Sequence, residues 1–208
     1  MARTSDINKH SAIFEAAIIE FGRYGYKGAN IDQIAKRAKV VKGTVYKHFK
    51  CKKTLFMELV NDYAKRYSDL HKVEYLETID LKEQLAGFIR NKLLFYTDTK
   101  NIKLTHIIFG VMLKNSSITN DVKNIIHKVY DEAFKKLAQF FLDAKEDKKL
   151  DFDDVAVVIH MFTGHMKSFA FYPQMYGTPP LTPENIDKIV EASVEIIQTL
   201  CISKKDLI

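Results

Sequence analysis

Lys42, Gly43, Thr44 and Lys47 fall within one short stretch, with Tyr46, His48 and Lys52 among them or just after. These residue types suit one kind of chemistry. A lysine ammonium donates to guanine O6 and N7; a threonine methyl touches thymine, or its hydroxyl reaches a phosphate. Gly43 has no side chain and lets the backbone approach a partner closely. Tyr46, His48 and Lys52 suit phosphate oxygens. Asn30, ahead of the preceding apolar stripe, joins them as a candidate contact. Val45 and Phe49 interrupt the set at core spacing.

Such a set needs a scaffold that presents one short helix to a duplex. Ile31, Ile34, Ala35 and Ala38 predict a helix over 31–38, with Asn30 as its N-cap. A second short helix runs from about Lys42 to Phe49. Lys39, Val40 and Val41 form the turn between them, which makes a helix-turn-helix. In that geometry the first helix braces across the backbone and the second enters the major groove. Ahead of the pair, Ile13, Phe14, Ala17, Ile18 and Phe21 mark a helix over 8–24. Gly22, Gly25 and Gly28 read as a connector; no strand precedes them, so they are not a phosphate loop. After the pair, Leu55, Phe56, Leu59 and Tyr63 mark a longer helix from Lys52 to near Lys72.

Charge agrees with this reading. The net charge is +6, but residues 1–56 carry 12 Lys and Arg against 4 Asp and Glu, a net +8, and the remainder is near neutral. A basic head points to a polyanion partner for the head alone. The 208 residues are 47% apolar and 28% charged, which fits a soluble protein with a real core. Two cysteines cannot build a disulfide framework, and a cytoplasmic setting is expected. Met1 to His10 has no apolar stretch of a secretory signal, and Val155–Ile159 is far too short to span a membrane.

The rest of the chain reads as five further helices: one from Leu81 to about Thr97, one over 102–113, one over 121–144, one over 153–171, and one from Pro183 to near Cys201. No strand alternation of any length appears. The fold class is all-α, about nine helices, with a head over 8–56 and a larger helical domain over 57–208. Tyr96, His106, Phe109, Tyr130, Phe134, His165 and Phe169 are candidates for a ligand cavity between the middle helices, because apolar walls with a few polar tips suit an amphipathic effector. The same residues also suit a plain core. His160 and His165 are five apart and do not stack as a ligand pair on one helix face, so no metal is expected. No nucleophile–base constellation is present, and neither an enzymatic role nor a cofactor is expected. Cys51, flanked by Lys50, Lys52 and Lys53, reads as a cap-position residue rather than a redox switch.

The run from Ile31 through Lys52, with Phe21, Gly25, Tyr26 and Gly28 before it, resembles the DNA-binding signature of the tetracycline-repressor (TetR) family. The close resemblance covers about residues 11–60. It implies a homodimeric transcriptional regulator, usually a repressor, on a palindromic double-stranded operator. A small-molecule effector in the C-terminal domain would release that operator. It also implies a dimer interface from the last two long helices, about 153–171 and 183–201. The sequence departs from the family pattern at Lys39, where Gly is common, at Val41, where Ser or Thr caps the recognition helix, and at Cys51, another capping position. The competing reading is a helical small-molecule-binding protein or enzyme with no DNA role; it leaves the basic head unexplained.

Overall fold

In a computed structural model the described residues are 2–114 and 117–201, with side chains described for 8–114, 117–199 and 201. Every regular element among them is helical. The order is α1 (Ala2–Gly28), α2 (Ile31–Arg37), α3 (Lys42–His48), α4 (Lys52–Leu70), α5 (Leu81–Thr97), α6 (Thr99–Met112), α7 (Thr119–Glu146), α8 (Val155–Met166), a π-helical turn (Lys167–Phe171), α9 (Tyr172–Met175) and α10 (Pro183–Leu200).

The contacts divide the chain into two compact units. Residues 1–65 and 100–128 form the first; residues 66–99 and 129–208 form the second. The first unit is therefore larger than a head cut at residue 56, because α6 and the first turns of α7 join it. The reason lies in their apolar faces. Leu104, Ile107, Ile108 and Val111 of α6, with Val122 and Ile126 of α7, are all buried. Ile107 comes within 3.9 Å of where a side chain on Gly22 of α1 would begin.

The first unit's core is the expected stripe. Ile13, Phe14, Ala17, Ile18 and Phe21 of α1 are buried with Ile34 of α2, Val45 of α3 and Leu55, Phe56 and Leu59 of α4. Phe21 meets Phe56 edge-on at 5.0 Å, and Tyr26 meets Phe56 at 5.1 Å. The predicted glycine connector is instead a continuation of α1 with a kink. Gly25 takes φ 66°, a left-handed conformation that a side chain disfavours, and it redirects the last turn toward α2.

The second unit buries Leu85, Phe88, Ile89 and Leu93 of α5, Leu137, Phe140 and Phe141 of α7, Val158, Ile159, Phe162 and Met166 of α8, and Ile186, Val190, Val194 and Ile197 of α10. α10 packs on α5 and α8. Asp80, Asp154 and Thr182 cap α5, α8 and α10 through their side-chain oxygens. The sequence predicts one helix over 153–171. The chain instead ends the α-helix at Met166 and widens into the π turn before Pro173. Pro173 has no N–H to donate and favours a break near this point.

Candidate nucleic-acid interface

α2 and α3 are short, and the turn between them fixes their angle. Asn30 caps α2: its side chain accepts from the Asp32 N–H at 2.7 Å. The Asn30 N–H in turn donates to Glu20 Oε1 at 3.3 Å, which gives that buried carboxylate a partner. The turn closes through Ala38 N–H to Ile34 O and Val40 N–H to Ala35 O. Lys39 takes φ 56° there. A non-glycine residue in that region costs about 1 kcal/mol. Val41 at the N-cap of α3 makes no side-chain bond. Both departures seen in the sequence thus have structural consequences. At Cys51 the Thr54 hydroxyl accepts from the Cys51 N–H at 3.0 Å, the return bond of a capping box. The Thr54 backbone N–H, then its hydroxyl, hold the exposed Cys51 thiol below its ordinary pKa.

α3 is two-faced. Val45 is fully buried and Phe49 nearly so, while Lys42, Gly43, Tyr46 and Lys47 are exposed and Thr44 is half-buried. A side chain at Gly43 would meet nothing within 4 Å, so no packing demand keeps that position small. The Lys42 ammonium pairs with both Asp32 carboxylate oxygens, at 2.9 and 3.1 Å, and that pairing raises its pKa. The pair is exposed and screened, so exchanging Asp32 for a DNA acceptor costs little. His48 is half-buried, with its ring 5.9 Å from His10 and 6.2 Å from Phe49.

Lys52, expected to reach a phosphate, is engaged within the protein. Its ammonium donates to Lys27 O and Ala29 O, each at 3.0 Å, and lies 5.2 Å from the Tyr26 ring. It closes the carbonyl end of α1, where cations are favoured. Lys52→Met is therefore expected to lower stability by about 1–2 kcal/mol, since charge-assisted bonds to carbonyls are lost. The salt slope of DNA binding should be unchanged. Urea unfolding beside a salt-series titration checks both; a slope shallower by about one ion would return Lys52 to the phosphates.

The candidate ligand residues separate. His106 and Phe109 lie on α6 in the first unit, and His106 helps line a pocket of about 600 Å³ with Tyr24, Gly25, Gly110 and Lys114. Tyr96, Tyr130, Phe134, His165 and Phe169 lie in the second unit. Tyr96 is buried, Tyr130, Phe134 and His165 are half-buried, and Phe169 is exposed. The His165 Nδ1–H donates to Met161 O at 3.0 Å, and its buried Nε2 has no hydrogen-bond partner among the described residues.

The residues that sequence reasoning missed sit beside Tyr96 and Tyr130. Lys92, on the inward face of α5, is 1% exposed. Its ammonium lies 2.7 Å from His71 Nε2 and 4.1 Å from the centroid of Tyr67. His71 Nδ1–H donates to Tyr67 O at 2.8 Å, so Nε2 is left as the acceptor for Lys92. Burial, then the nearby Lys167, drives the Lys92 pKa well below its ordinary value. Burial, then Lys92, drives His71 down to about 3. The aromatic contacts contribute about 2 kcal/mol to a desolvated ammonium, against several for burying the ion, so they do not offset its burial. A signal was available: Lys92 falls in step with Leu85, Phe88 and Ile89 on the apolar stripe. Among the described residues, no three His, Cys, Asp or Glu side chains gather as a metal site. No helix among them is long and apolar enough to cross a membrane.

Comparison with known proteins agrees with this architecture. A profile of bacterial regulatory proteins of the tetR family matches residues 13–59, and one of the AefR-like transcriptional repressor C-terminal domain matches residues 83–199. The uncharacterized HTH-type transcriptional regulator YhgD of Bacillus subtilis is 42% identical over 59 residues, 28% of this chain and 31% of that protein. The fatty acid metabolism regulator protein of the same organism is 30% identical over 78 residues, 38% of this chain and 40% of that protein. The matches thus span 31% and 40% of those regulators' lengths. A TetR family transcriptional regulator from Pseudomonas syringae pv. tomato superposes with a TM-score of 0.68 at 27% identity, covering 91% of this chain and 94% of that one. The transcriptional regulator FadR from Bacillus subtilis, solved in complex with stearoyl-CoA, shares the fold with a TM-score of 0.63 at 20% identity, over 92% and 99% of the two chains. One profile covers the helix-turn-helix with its basic outward face and the other covers more than half of the sequence, so the chain belongs to the TetR family of bacterial regulatory proteins.

Proposed function

We propose that the chain is a sequence-specific DNA-binding transcriptional regulator, a repressor released from its operator by a small molecule held in its second unit. The observation that carries this is the outward face of α3. Lys42, Tyr46 and Lys47 stand exposed around Gly43, whose missing side chain nothing in the protein requires. Lys42, Lys47 and Thr44 address base edges, while Tyr46 and His48 address phosphates. Asn30 acts through the cap that orients α2. Lys52 acts by holding the end of α1.

The working form is a homodimer on a palindromic site. α8 and α10 bury one apolar face each and leave Val157, Met161 and Ile196 exposed, as Phe169 is beyond them. Exposed apolar residues on two adjacent packed helices favour a second copy as the occupant, and a two-fold interface matches a two-fold operator. The effector acts by shifting the population of the dimer away from its DNA-competent form. The fatty acid metabolism regulator among the relatives makes acyl compounds the first effectors to screen.

Lys47→Ala tests the reading. It removes an exposed charge from α3 and no core contact, so the variant should fold normally. It is expected to bind its best duplex about tenfold more weakly and to discriminate less against a scrambled duplex. Unchanged affinity and unchanged discrimination would remove α3 from the interface.

A further inference from the structure

The second unit holds a basic cluster that the DNA-binding reading does not use. Lys92 is buried on α5 with His71 as its hydrogen-bond partner. The Tyr67 ring that lies 4.1 Å from its ammonium is itself 4.5 Å from the Tyr130 ring. Lys167, half-buried on the π turn, lies 5.9 Å from Tyr130. Two lysines thus flank a pair of tyrosines, one inside and one near the surface. No carboxylate pairs with either lysine among the described residues. That absence decides what the cluster wants. A lysine buried with only a neutral imidazole as partner gives up its proton readily, and an anion is the partner that would let it keep the charge. π turns are rare and concentrate at functional sites, and this one carries the outer lysine.

We propose that Lys92 and Lys167 form the head-group site of the second unit for an apolar organic carboxylate, with Lys92 as its inner contact and His71 holding the Lys92 ammonium in place. This rests on the effector reading above and names its ligand class. A monoanion is favoured because only the Lys92 nitrogen is fully buried, while Lys167 is half-buried and stays within reach of solvent. The neighbours favour an apolar body behind that charge: the Tyr96 and Phe88 rings lie 5.6 and 5.9 Å from the Lys92 nitrogen. Lys167 gives the anion an outer station from which to reach Lys92. Burial already lowers the affinity of both lysines for a proton, so a bound carboxylate should restore the proton on Lys92.

The test is calorimetric titration of the full-length protein with decanoate, decan-1-ol and decyl phosphate, in two buffers of different ionisation enthalpy at pH 8. The expected result is decanoate bound at least about tenfold tighter than the alcohol or the phosphate, with net uptake of up to about one proton. Lys92→Met should erase the preference for decanoate over decan-1-ol. Lys167→Met, at a half-buried position, should weaken decanoate selectively. Equal binding of acid and alcohol, no proton uptake, or a preference that survives in both variants would overturn the site. Tighter binding of decyl phosphate would overturn the choice of carboxylate. The same samples, tested on operator duplex, separate the two readings. Selective binding of decanoate without release of DNA would contradict the effector role and support the anion site. Intact DNA binding with no binding of decanoate would overturn the anion site and leave the DNA-binding reading standing.

Discussion

Between pH 7 and 9 the protein is expected to gain stability that its Lys92→Met variant does not gain. The sign follows from where the protons are. In the unfolded chain Lys92 keeps its proton up to about pH 10.5. In the folded chain burial, then Lys167, holds its pKa well below that value. Across that window the unfolded state binds more protons, so stability rises with pH by up to about 1.4 kcal/mol per unit. It is lost as pH falls toward the depressed pKa. Lys167 is shifted in the same direction and keeps a smaller slope in the variant. The two cysteines shift in opposite directions, Cys51 down and Cys201 up, and both cancel in the difference between the two proteins. His71 adds a second, acid window of the same sign. Its folded pKa of about 3 lies below the ordinary 6.5, so acidification between those values destabilises the fold further. Urea unfolding at pH 7 and 9 reads the first window directly. Parallel stability curves for wild type and variant would mean that Lys92 is solvated in solution.

Gly43→Ala should move stability and function in opposite directions. Gly43 is exposed in α3, with open space where a side chain would stand. Alanine there gains helix propensity, up to about 1 kcal/mol. The same methyl would stand between the backbone of α3 and the duplex, and operator affinity should fall about tenfold or more. A melting curve and a DNA titration on one preparation give both numbers. Equal affinity for the duplex would show that α3 does not approach DNA closely at this point. A lower melting temperature would show that the open space is filled in solution.

Where the apolar period was unbroken, the helices were legible: Leu81 to Thr97 is observed with the boundaries read from the sequence. The left-handed turn at Lys39 and the uncapped start of α3 at Val41 were also visible, because each depends on one residue type in a local frame. The partners of Lys52 within the protein were not legible. A lysine at the start of a helix suits a phosphate, and only the carbonyls of Lys27 and Ala29, far away in sequence, show what its ammonium holds within the protein. The place of α6 was hidden for a related reason: it looks like any amphipathic helix until its apolar face is seen buried in the first unit. Lys92 was passed over because a lysine on an apolar stripe ordinarily extends to water. Nothing local says that His71, Tyr67 and Tyr96 enclose it. The ligand candidates scattered for the same cause, since aromatic residues on different helices have no period linking them.

Fluorescence anisotropy of the purified protein tests the central claim most directly. The probes are the duplex flanking its own coding sequence and a scrambled duplex of equal composition, across a series of salt concentrations. A regulator that reads bases from α3 should prefer the flanking duplex and lose affinity steeply with salt, in proportion to the phosphates it contacts, with two chains per site. The absence of binding to either duplex at low salt would contradict the claim.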